Sequence, residues 1–250
     1  MQCRLCGGPL EYSASGVLFG TRSVKYFRCS RCRSVALPEP DWLEQAYADA
    51  VGRLDAGIVE RTLKLGNISG AIIAGDGTQS GSFLDYGGGY GLLTRLLRDR
   101  GLDFKHCDPH TENVFANGFE GSVSTRYDLI TLSEVLERLA DPYAVLLELS
   151  RSSDRILATT ELLPNPTPRP GEGPCYAEGT GQHVTLYTMA GLASLAERLG
   201  MQLTFHGYVV HLFHRGRLKR ATRVLSEHPL VAYVAGAFQG EIDRASKGAN

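Results

Sequence analysis

The sequence predicts an α/β fold, a mainly parallel sheet with helices on both faces, preceded by a small cysteine-bearing unit. From residue 82 onward, apolar strand patterns alternate with helical patterns, as in a parallel sheet with crossover helices. A glycine-rich segment joins the first of these strands to the first helix. Four of the six cysteines form two CxxC pairs near the N-terminus, which indicates a separate short unit.

The predicted strands and helices follow one another in alternation. The strands cover 82–87, 103–108, 126–133 and 155–163, and a closing pair with a tight turn at Gly207 covers 202–215. The helices cover 90–101, 134–151 with Pro142 allowing a break, and 188–200. A loop rich in proline and glycine, 164–174, follows the fourth strand.

A helical lead-in and a helical tail flank this core. Apolar residues recur at helical spacing over 41–66, where Gly52 and Gly57 allow a split into two helices, and 75–82 is predicted to be a loop. The tail is partly polar. We therefore expect four regions, with the bounds 1–38, 39–81, 82–215 and 216–250.

Composition excludes several classes of protein. Of the 250 residues, 43% are hydrophobic and 21% are charged, which is too apolar for a disordered chain. The apolar runs fall far short of the roughly 20 residues of a membrane helix, and the N-terminus lacks the apolar stretch of a signal peptide. We therefore expect a cytoplasmic protein. A formal net charge of −1 disfavours nucleic acid as a partner of the whole chain.

The paired cysteines predict a structural zinc site. Two CxxC turns can each direct two thiolates to one point, which completes a tetrahedral Zn²⁺ site with no open position for catalysis. The four ligands would be Cys3, Cys6, Cys29 and Cys32. We call residues 1–38 the ribbon.

The ribbon is also basic. Its single acid, Glu11, stands against six basic residues: Arg4, Arg22, Lys25, Arg28, Arg31 and Arg33. We favour the interpretation that these cations offset the net charge of about −2 on a four-thiolate zinc centre. A contact with nucleic acid or phosphate is the alternative.

The glycine-rich segment Asp85–Gly91 predicts a nucleotide-type cofactor site. It follows a strand and opens a helix, where backbone can approach a ligand closely. Asp108 ends the next strand, in place to accept ribose hydroxyls. An acid at the start of the loop would repel a pyrophosphate, whereas Asp85 could hold the cationic amino group of S-adenosylmethionine. The residues expected at this site are Asp85, Gly87, Gly88, Gly89, Gly91, Asp108 and Ser133.

A third motif, residues 127–142, predicts the acceptor side of the site. Its strand delivers Ser133 and Glu134 to the carboxyl edge of the sheet, where ligands bind in such folds. Glu137 lies one helical turn further, and a solvated helix face is its simplest interpretation. His183 follows the proline-rich loop and could take a proton from a hydroxyl or amine acceptor, or serve as a hydrogen-bonded structural histidine.

Together these segments resemble class I S-adenosylmethionine-dependent methyltransferases. FLDYGGGYGLLTRLLRDRG, HCDPH, ITLSEVLERLADP and GQHVTLYTMAGLASLAERLGM resemble in particular a zinc-ribbon-bearing bacterial subgroup associated with polysaccharide or other glycan modification. The resemblance implies a seven-stranded Rossmann-like sheet with an antiparallel last strand. It also implies that Asp85, Gly87, Gly89 and Gly91 form the cofactor loop and that Asp108 binds the ribose.

Two departures from the subgroup bear on the acceptor. Relatives read E-x-x-E-H in the third motif, where some hold a divalent metal, but here Arg138 replaces the histidine. Glu134, Glu137 and His183 would form an incomplete site, so we expect no catalytic metal, and Arg138 could bind an anionic group of the substrate. Where relatives carry several aromatic residues, 174–179 keeps only Tyr176, which we take as a candidate substrate contact but a weakened sugar-stacking platform.

The sequence thus favours a methyltransferase that acts on a small molecule or a sugar or glycan by in-line transfer, with Glu134 and His183 as candidate bases. The first alternative is an RNA methyltransferase that docks through the basic ribbon. The second is a scaffold that binds the cofactor without catalysis, with Arg138 as the sign of lost activity.

Overall fold

The structure is a computed structural model that describes residues 1–47, 57–206, 209–220 and 222. The strands, in chain order, are β1 (Leu10–Leu18), β2 (Arg22–Cys29), β3 (Val35–Ala36), β4 (Ser82–Tyr86), β5 (Asp103–Cys107), β6 (Leu129–Ser133), β7 (Arg155–Thr159), β8 (Thr185–Leu186), β9 (Gln202–His206) and β10 (Val210–His214). The α-helices are α1 (Leu43–Tyr47), α2 (Ile58–Asp76), α3 (Leu92–Asp99), α4 (Pro142–Ser152) and α5 (Met189–Arg198), and Leu136–Arg138 and Pro174–Tyr176 form 3₁₀ turns.

The larger sheet has six strands in the order β5-β4-β6-β7-β10-β9. The first four are parallel, and β10 runs antiparallel to both β7 and β9. Neighbouring residues along a strand point to opposite faces: Phe83 packs with α2 and α3, whereas Leu84 packs with α4 and α5. The predicted α/β layers with helices on both faces are therefore confirmed.

The sheet has six strands among the described residues, one fewer than the seven that the resemblance implied. Beyond the edge strand β5, the chain makes a single parallel bridge between His106 and Glu120. The segment around this bridge carries Gly118 and Gly121 among polar residues, with Gly118 at φ +85°. Glycines and polar residues interrupt any alternating apolar pattern, so among the described residues the segment makes this one bridge and no further ladder.

The break that the sequence allowed at Pro142 is present, because Asp141 caps α4 through the Ala144 N–H and Pro142 occupies its first turn. Another boundary differs from prediction. Helix α2 continues to Asp76, into the predicted loop 75–82, and ends at Gly77 in the left-handed conformation. The turn predicted at Gly207, the break at Gly52 and residues 223–250 of the predicted tail lie outside the described residues.

The ribbon forms a second sheet of four strands, in the order β1-β2-β3-β8. Strands β1 and β2 make an antiparallel hairpin, and β3 adds to it. The fourth strand, β8, comes from the region 185–186, far along the chain. A shared apolar cluster, which includes Tyr26, Trp42 and Leu186, closes this interface. No helix in the described part of the chain combines the length and apolar character needed to cross a membrane.

Candidate active site

A cavity of about 370 Å³ opens at the carboxyl ends of β4, β5 and β6. Pockets that bind small molecules commonly measure about 300–1,000 Å³. The walls come from the glycine loop 85–91, the loop 108–111 and the segment 133–139, with Tyr47 and the first turn of α2 at the mouth. The parallel strands thus bring the glycine motif, Asp108 and the third motif to one place, as predicted for a ligand site at this edge.

The glycine loop depends on its glycines. Gly87, Gly89 and Gly91 have φ values of +69°, +56° and +85°, a region that side chains rarely adopt. A Cβ at Gly88 would lie 2.4 Å from the Asp85 carboxylate, although its φ is ordinary. The loop therefore presents bare backbone to the cavity, which suits close approach of a ligand.

Asp85 lies on the floor of the cavity and is fully buried. Its carboxylate accepts hydrogen bonds from the Thr131 hydroxyl at 3.0 Å and the Thr94 hydroxyl at 3.2 Å. Burial raises the pKa of Asp85 to about 6, and the two hydroxyls act in the opposite direction. The side chain thus supports the loop from below, and its contact with a ligand amino group stays a prediction.

Asp108 lies half-buried on the rim. Its Oδ2 accepts from the Gly89 N–H at 2.8 Å, and its Oδ1 accepts from the N–H groups of His110 and Thr111 at 2.8 and 2.9 Å. Three backbone donors therefore orient this carboxylate. Since a carboxylate offers about four lone-pair sites, it keeps capacity for a further donor.

His106 is a residue of the site that the sequence argument missed. It pairs with Asp85 across β4 and β5, and its Nε2 lies 2.8 Å from the Gly89 carbonyl oxygen. The ring is buried and supports the loop from below, beside Asp85. The available signal was its position two residues before Asp108, which places both side chains on one face of the same strand.

The acceptor side begins with a strained residue. Glu134 has φ +54°, and its N–H donates to the Thr159 hydroxyl at 3.0 Å. Non-glycine residues in this conformation cluster at functional sites. Ser133, Glu134 and Arg138 all line the cavity, and Nε of Arg138 is buried without a hydrogen-bond partner among the described residues.

Glu137 does not lie on a solvated face, contrary to the simplest expectation. It is 3% exposed, because the segment forms a short 3₁₀ turn that points this side chain inward. Burial, with the nearby charge of Glu134, raises the pKa of Glu137 to about 7. The carboxyl group lies behind the cavity wall, with its Oε1 4.0 Å from Nε2 of His183.

His183 lies beside Glu137 and is not among the residues that line the cavity. Its Nδ1 lies 2.8 Å from the Cys175 carbonyl oxygen, so Nδ1 carries the proton and Nε2 is left as an acceptor. Burial lowers the pKa of His183 to about 4, so the ring is neutral at pH 7. Glu134 and His183 therefore occupy opposite sides of the turn.

Tyr176 does not provide a platform for sugar stacking. It is 3% exposed, its hydroxyl donates to the Pro168 carbonyl at 2.8 Å, and its ring meets Tyr26 edge-on at 5.0 Å. The proline-rich loop folds over it, so the ring joins the apolar cluster beneath the ribbon and does not reach the cavity.

Two aromatic residues that were not predicted from sequence, Tyr47 and Phe115, line the mouth of the cavity. Tyr47 of α1 stacks on His110, with ring centroids 4.6 Å apart and an angle of 4° between the planes. The Tyr47 hydroxyl donates to the Arg138 carbonyl at 2.9 Å. Phe115 and Val59 add apolar, exposed surface at the same rim.

The four paired cysteines meet at one point in the ribbon. Their sulfur atoms all lie within 4.8 Å of one another, with Cys6 and Cys29 3.4 Å apart and Cys3 and Cys32 3.8 Å apart. Tetrahedral zinc with Zn–S bonds of about 2.3 Å places its sulfurs about 3.8 Å apart, so the donor set fits. Among the described residues, this is the one cluster of three or more potential metal ligands.

Comparison of the sequence with models of protein families identifies the family of this chain. A family model described as a methyltransferase domain matches residues 61–205. The chain belongs to this family, and its α/β sheet with the glycine loop is the corresponding fold. No curated protein sequence matches the chain significantly.

Solved structures of low sequence identity are similar to part of this chain. An O-methyltransferase family 2 protein from Planctomyces limnophilus, in complex with apigenin, is 14% identical over 71% of this chain and 62% of its own, with a TM-score of 0.50. Human N-acetylserotonin methyltransferase with SAM is 18% identical over 70% and 66%, with a TM-score of 0.46. CalO1, a methyltransferase of calicheamicin biosynthesis bound to SAH, is 17% identical over 69% and 60%, with a TM-score of 0.43. This chain thus spans less than two thirds of these proteins.

Proposed function

We propose that this chain is an S-adenosylmethionine-dependent methyltransferase that acts on a small molecule or a sugar by in-line transfer. The observation that carries the proposal is the loop 85–91 next to Asp108, which three backbone N–H groups orient at the edge of adjacent parallel strands. Membership of the methyltransferase family supports it. In this proposal Asp108 binds the ribose hydroxyls and the glycine backbone packs against the ligand.

The same loop argues against a dinucleotide. The Gly89 N–H already donates to Asp108, so it is not free to bind a phosphate. Asp85 adds a second carboxyl group directly below Gly88. Two acidic groups at the loop would repel a pyrophosphate, whereas a ligand with a cationic amino group and no phosphate fits.

S-adenosylmethionine supplies an electrophilic methyl group on its sulfonium. The protein then has to hold the acceptor in line and remove its proton. Of the two predicted bases, Glu134 lines the cavity, whereas His183 lies behind the turn. We therefore assign the base to Glu134. Arg138 would bind an anionic group of the acceptor, because this residue lines the same cavity and its buried Nε has no hydrogen-bond partner among the described residues.

The cavity size supports a small acceptor or a terminal sugar. About 370 Å³ has to admit the cofactor and the reacting part of the acceptor together. The apolar rim at Phe115 and Val59 favours an acceptor with an apolar or aromatic face beside its anionic group. Since Tyr176 is packed away, a glycan platform at that residue is not part of the proposal.

We also propose that the ribbon binds one structural Zn²⁺ through Cys3, Cys6, Cys29 and Cys32. Four thiolates leave no open position, so this zinc takes no part in catalysis. Docking of RNA on the ribbon is not favoured, because four of its basic side chains bond within the protein. Arg4 donates to carbonyls of Pro38 and Ala140, Arg22 pairs with Asp41, Arg28 donates to Thr167, and Arg31 donates to the Cys6 carbonyl.

Calorimetry with S-adenosylhomocysteine tests the cofactor site. Asp108→Ala removes the acceptor of a ribose hydroxyl bond, worth about 1.5–3 kcal/mol to a charged group, so affinity should fall at least about tenfold. Asp103→Ala is the matched control, since this aspartate begins the same strand but pairs with Arg98 on the surface. Equal affinity in wild type and Asp108→Ala would overturn the placement.

Methyl transfer itself is tested by mass spectrometry with an acceptor panel. Wild type is incubated with S-adenosylmethionine and phenols, aromatic carboxylates, sugars, sugar phosphates and a short RNA. A methylated anionic small molecule or sugar is the expected product. Methylation of the RNA alone would overturn the acceptor class, and failure to bind S-adenosylhomocysteine would overturn the enzyme assignment.

A further inference from the structure

The ribbon sheet is continuous with the methyltransferase domain through β8. Val35 and Ala36 of β3 pair with Leu186 and Thr185 of β8. One residue further, the Leu37 N–H donates to the Val184 carbonyl at 2.8 Å. The strand segment 184–187 is therefore an edge strand of the ribbon, although it belongs in sequence to the second half of the chain.

The other side of this segment faces the acceptor-side turn, residues 134–140. Five consecutive carbonyls, 136–140, each accept a hydrogen bond from a donor outside the turn. The Tyr187 hydroxyl donates to carbonyl 136, the Val184 N–H to carbonyl 137 and the Tyr47 hydroxyl to carbonyl 138. The Thr185 hydroxyl donates to carbonyl 139, and the Arg4 guanidinium donates to carbonyl 140. Three of these donors lie on the edge strand, and a fourth lies in the ribbon itself.

The turn has little support of its own. Within it, the Arg138 N–H donates to the Val135 carbonyl at 3.0 Å and the Leu139 N–H donates to the Leu136 carbonyl at 3.2 Å. Glu134 at its start is held in a left-handed conformation that costs on the order of 1 kcal/mol or more. A short 3₁₀ turn with a strained residue does not persist alone, so its shape is set by the donors around it.

We propose that the ribbon, through segment 184–187 and Arg4, is the support that shapes the turn 136–140 and so positions Arg138 in the cavity, whereas Glu134 is tied to the main sheet by the Thr159 hydroxyl. This proposal rests on the proposed function in one respect, because it treats the turn as the acceptor side of the site. Cys3, Cys29 and Cys32 pack in the same apolar cluster as α5, which directly follows the edge strand. Loss of the ribbon's structure therefore loosens the acceptor side and leaves the cofactor loop 85–91, whose bonds run to His106, Asp108 and Thr131 and not to the ribbon.

Hydrogen exchange with mass spectrometry on the full chain tests this division. Tyr187→Phe deletes the hydroxyl that bonds the Leu136 carbonyl at 2.8 Å and keeps the ring. We expect the amides of 135–142 to exchange about tenfold faster, the effect of losing one buried hydrogen bond. The loop 85–91 should keep its exchange rates, and affinity for S-adenosylhomocysteine should stay within about twofold.

Tyr127→Phe is the matched control. Tyr127 is also buried, and its hydroxyl donates to the Ser122 carbonyl at 3.1 Å, away from the turn. Cys32→Ser disrupts the ribbon directly and should reproduce the faster exchange at 135–142. The proposal is overturned if Tyr187→Phe leaves the turn as protected as Tyr127→Phe does, or if Cys32→Ser speeds exchange only within 1–38. If wild type fails to bind S-adenosylhomocysteine, the proposed function is refuted instead.

Discussion

The two halves of the candidate site are built in different ways. The cofactor half, 85–111, is held mostly by neighbours in sequence: the side-chain bonds of Asp108 and His106 span 19 positions or fewer, and one longer bond joins Thr131 to Asp85. The acceptor half, 134–140, is held at its carbonyls by donors that lie 46 to 136 positions away. A site half with local support can be identified from a motif, whereas the other half depends on the assembled fold.

This difference predicts which half of the site a given substitution alters. A change far from the cavity should alter the acceptor half first, because its support comes from the ribbon, α1 and segment 184–187. The cofactor half should respond to changes within its own loops. Five experiments follow, beginning with the largest effect.

Removal of zinc should have the largest effect. We expect about one zinc per chain by elemental analysis of protein made without a tag, and loss of the ribbon's structure in Cys29→Ser, because structural zinc contributes on the order of 10 kcal/mol. Cys107→Ser, which changes an isolated cysteine outside the cluster, should keep both zinc and melting temperature. Metal-free wild type with reactive thiols would contradict the prediction.

The proton acceptor comes next. Glu134→Gln should lower turnover by about 10²–10⁴-fold, the usual contribution of a general base, with the acceptor that the panel identifies. His183→Ala should lower turnover less, because this ring does not line the cavity. Near-normal rates in both variants would refute the assignment of the base.

The same assay in a chelator tests the expected independence from a catalytic metal. Arg138 occupies the position of a potential ligand and would repel a cation. Wild type should therefore turn over at its normal rate. If chelation abolishes activity and magnesium but not zinc restores it, the metal-free interpretation is wrong.

Glu137 should make stability depend on pH. Its pKa is raised to about 7, so the native state keeps a proton that the unfolded chain, with a pKa of about 4.3, has released. Stability then falls as pH rises from about 4.5 to about 7, and the loss is complete above that range. Glu137→Gln should abolish this loss and gain about 1–3 kcal/mol relative to wild type at pH 8.

Denaturant titrations of wild type and Glu137→Gln at pH 5 and pH 8 measure this difference. His183, whose pKa is lowered to about 4, gives a slope of opposite sign between about pH 4 and 6.5. Both proteins carry that histidine, so its contribution largely cancels in the comparison. If Glu137→Gln is no more stable than wild type at pH 8, ionisation of Glu137 costs little folding free energy and the prediction is wrong.

The smallest effect should come from His106, within the locally supported half. His106→Leu removes the bond to the Gly89 carbonyl, so affinity for S-adenosylhomocysteine should fall roughly 2–10-fold. His106→Gln, which retains a donor at a similar reach, should restore most of it. Exchange at 135–142 should stay as in wild type. Faster hydrogen exchange at 135–142 would contradict the separate support of the two halves.

Much of the cofactor half could be predicted from sequence. The glycines of 85–91 and Asp108 are identified by residue type and position, because glycine adopts without strain the positive φ that the loop requires. The contribution of His106 was missed, because its position two residues before Asp108 was its only signal in the sequence. The acceptor half was predicted in outline only: Glu134 reached the cavity, but the buried position of Glu137 depended on a helix that broke at Pro142.

The sequence by itself determined the alternation of strands and helices, the clustered cysteines and the residues of the glycine loop, because periodicity and spacing are local properties. Only the tertiary structure decided that the ribbon completes its sheet with 185–186, that Tyr176 is buried and that Tyr47 covers Arg138. These contacts join segments distant in sequence, and each is chosen by which surfaces bury the most apolar area together. No pattern within a single segment records that choice.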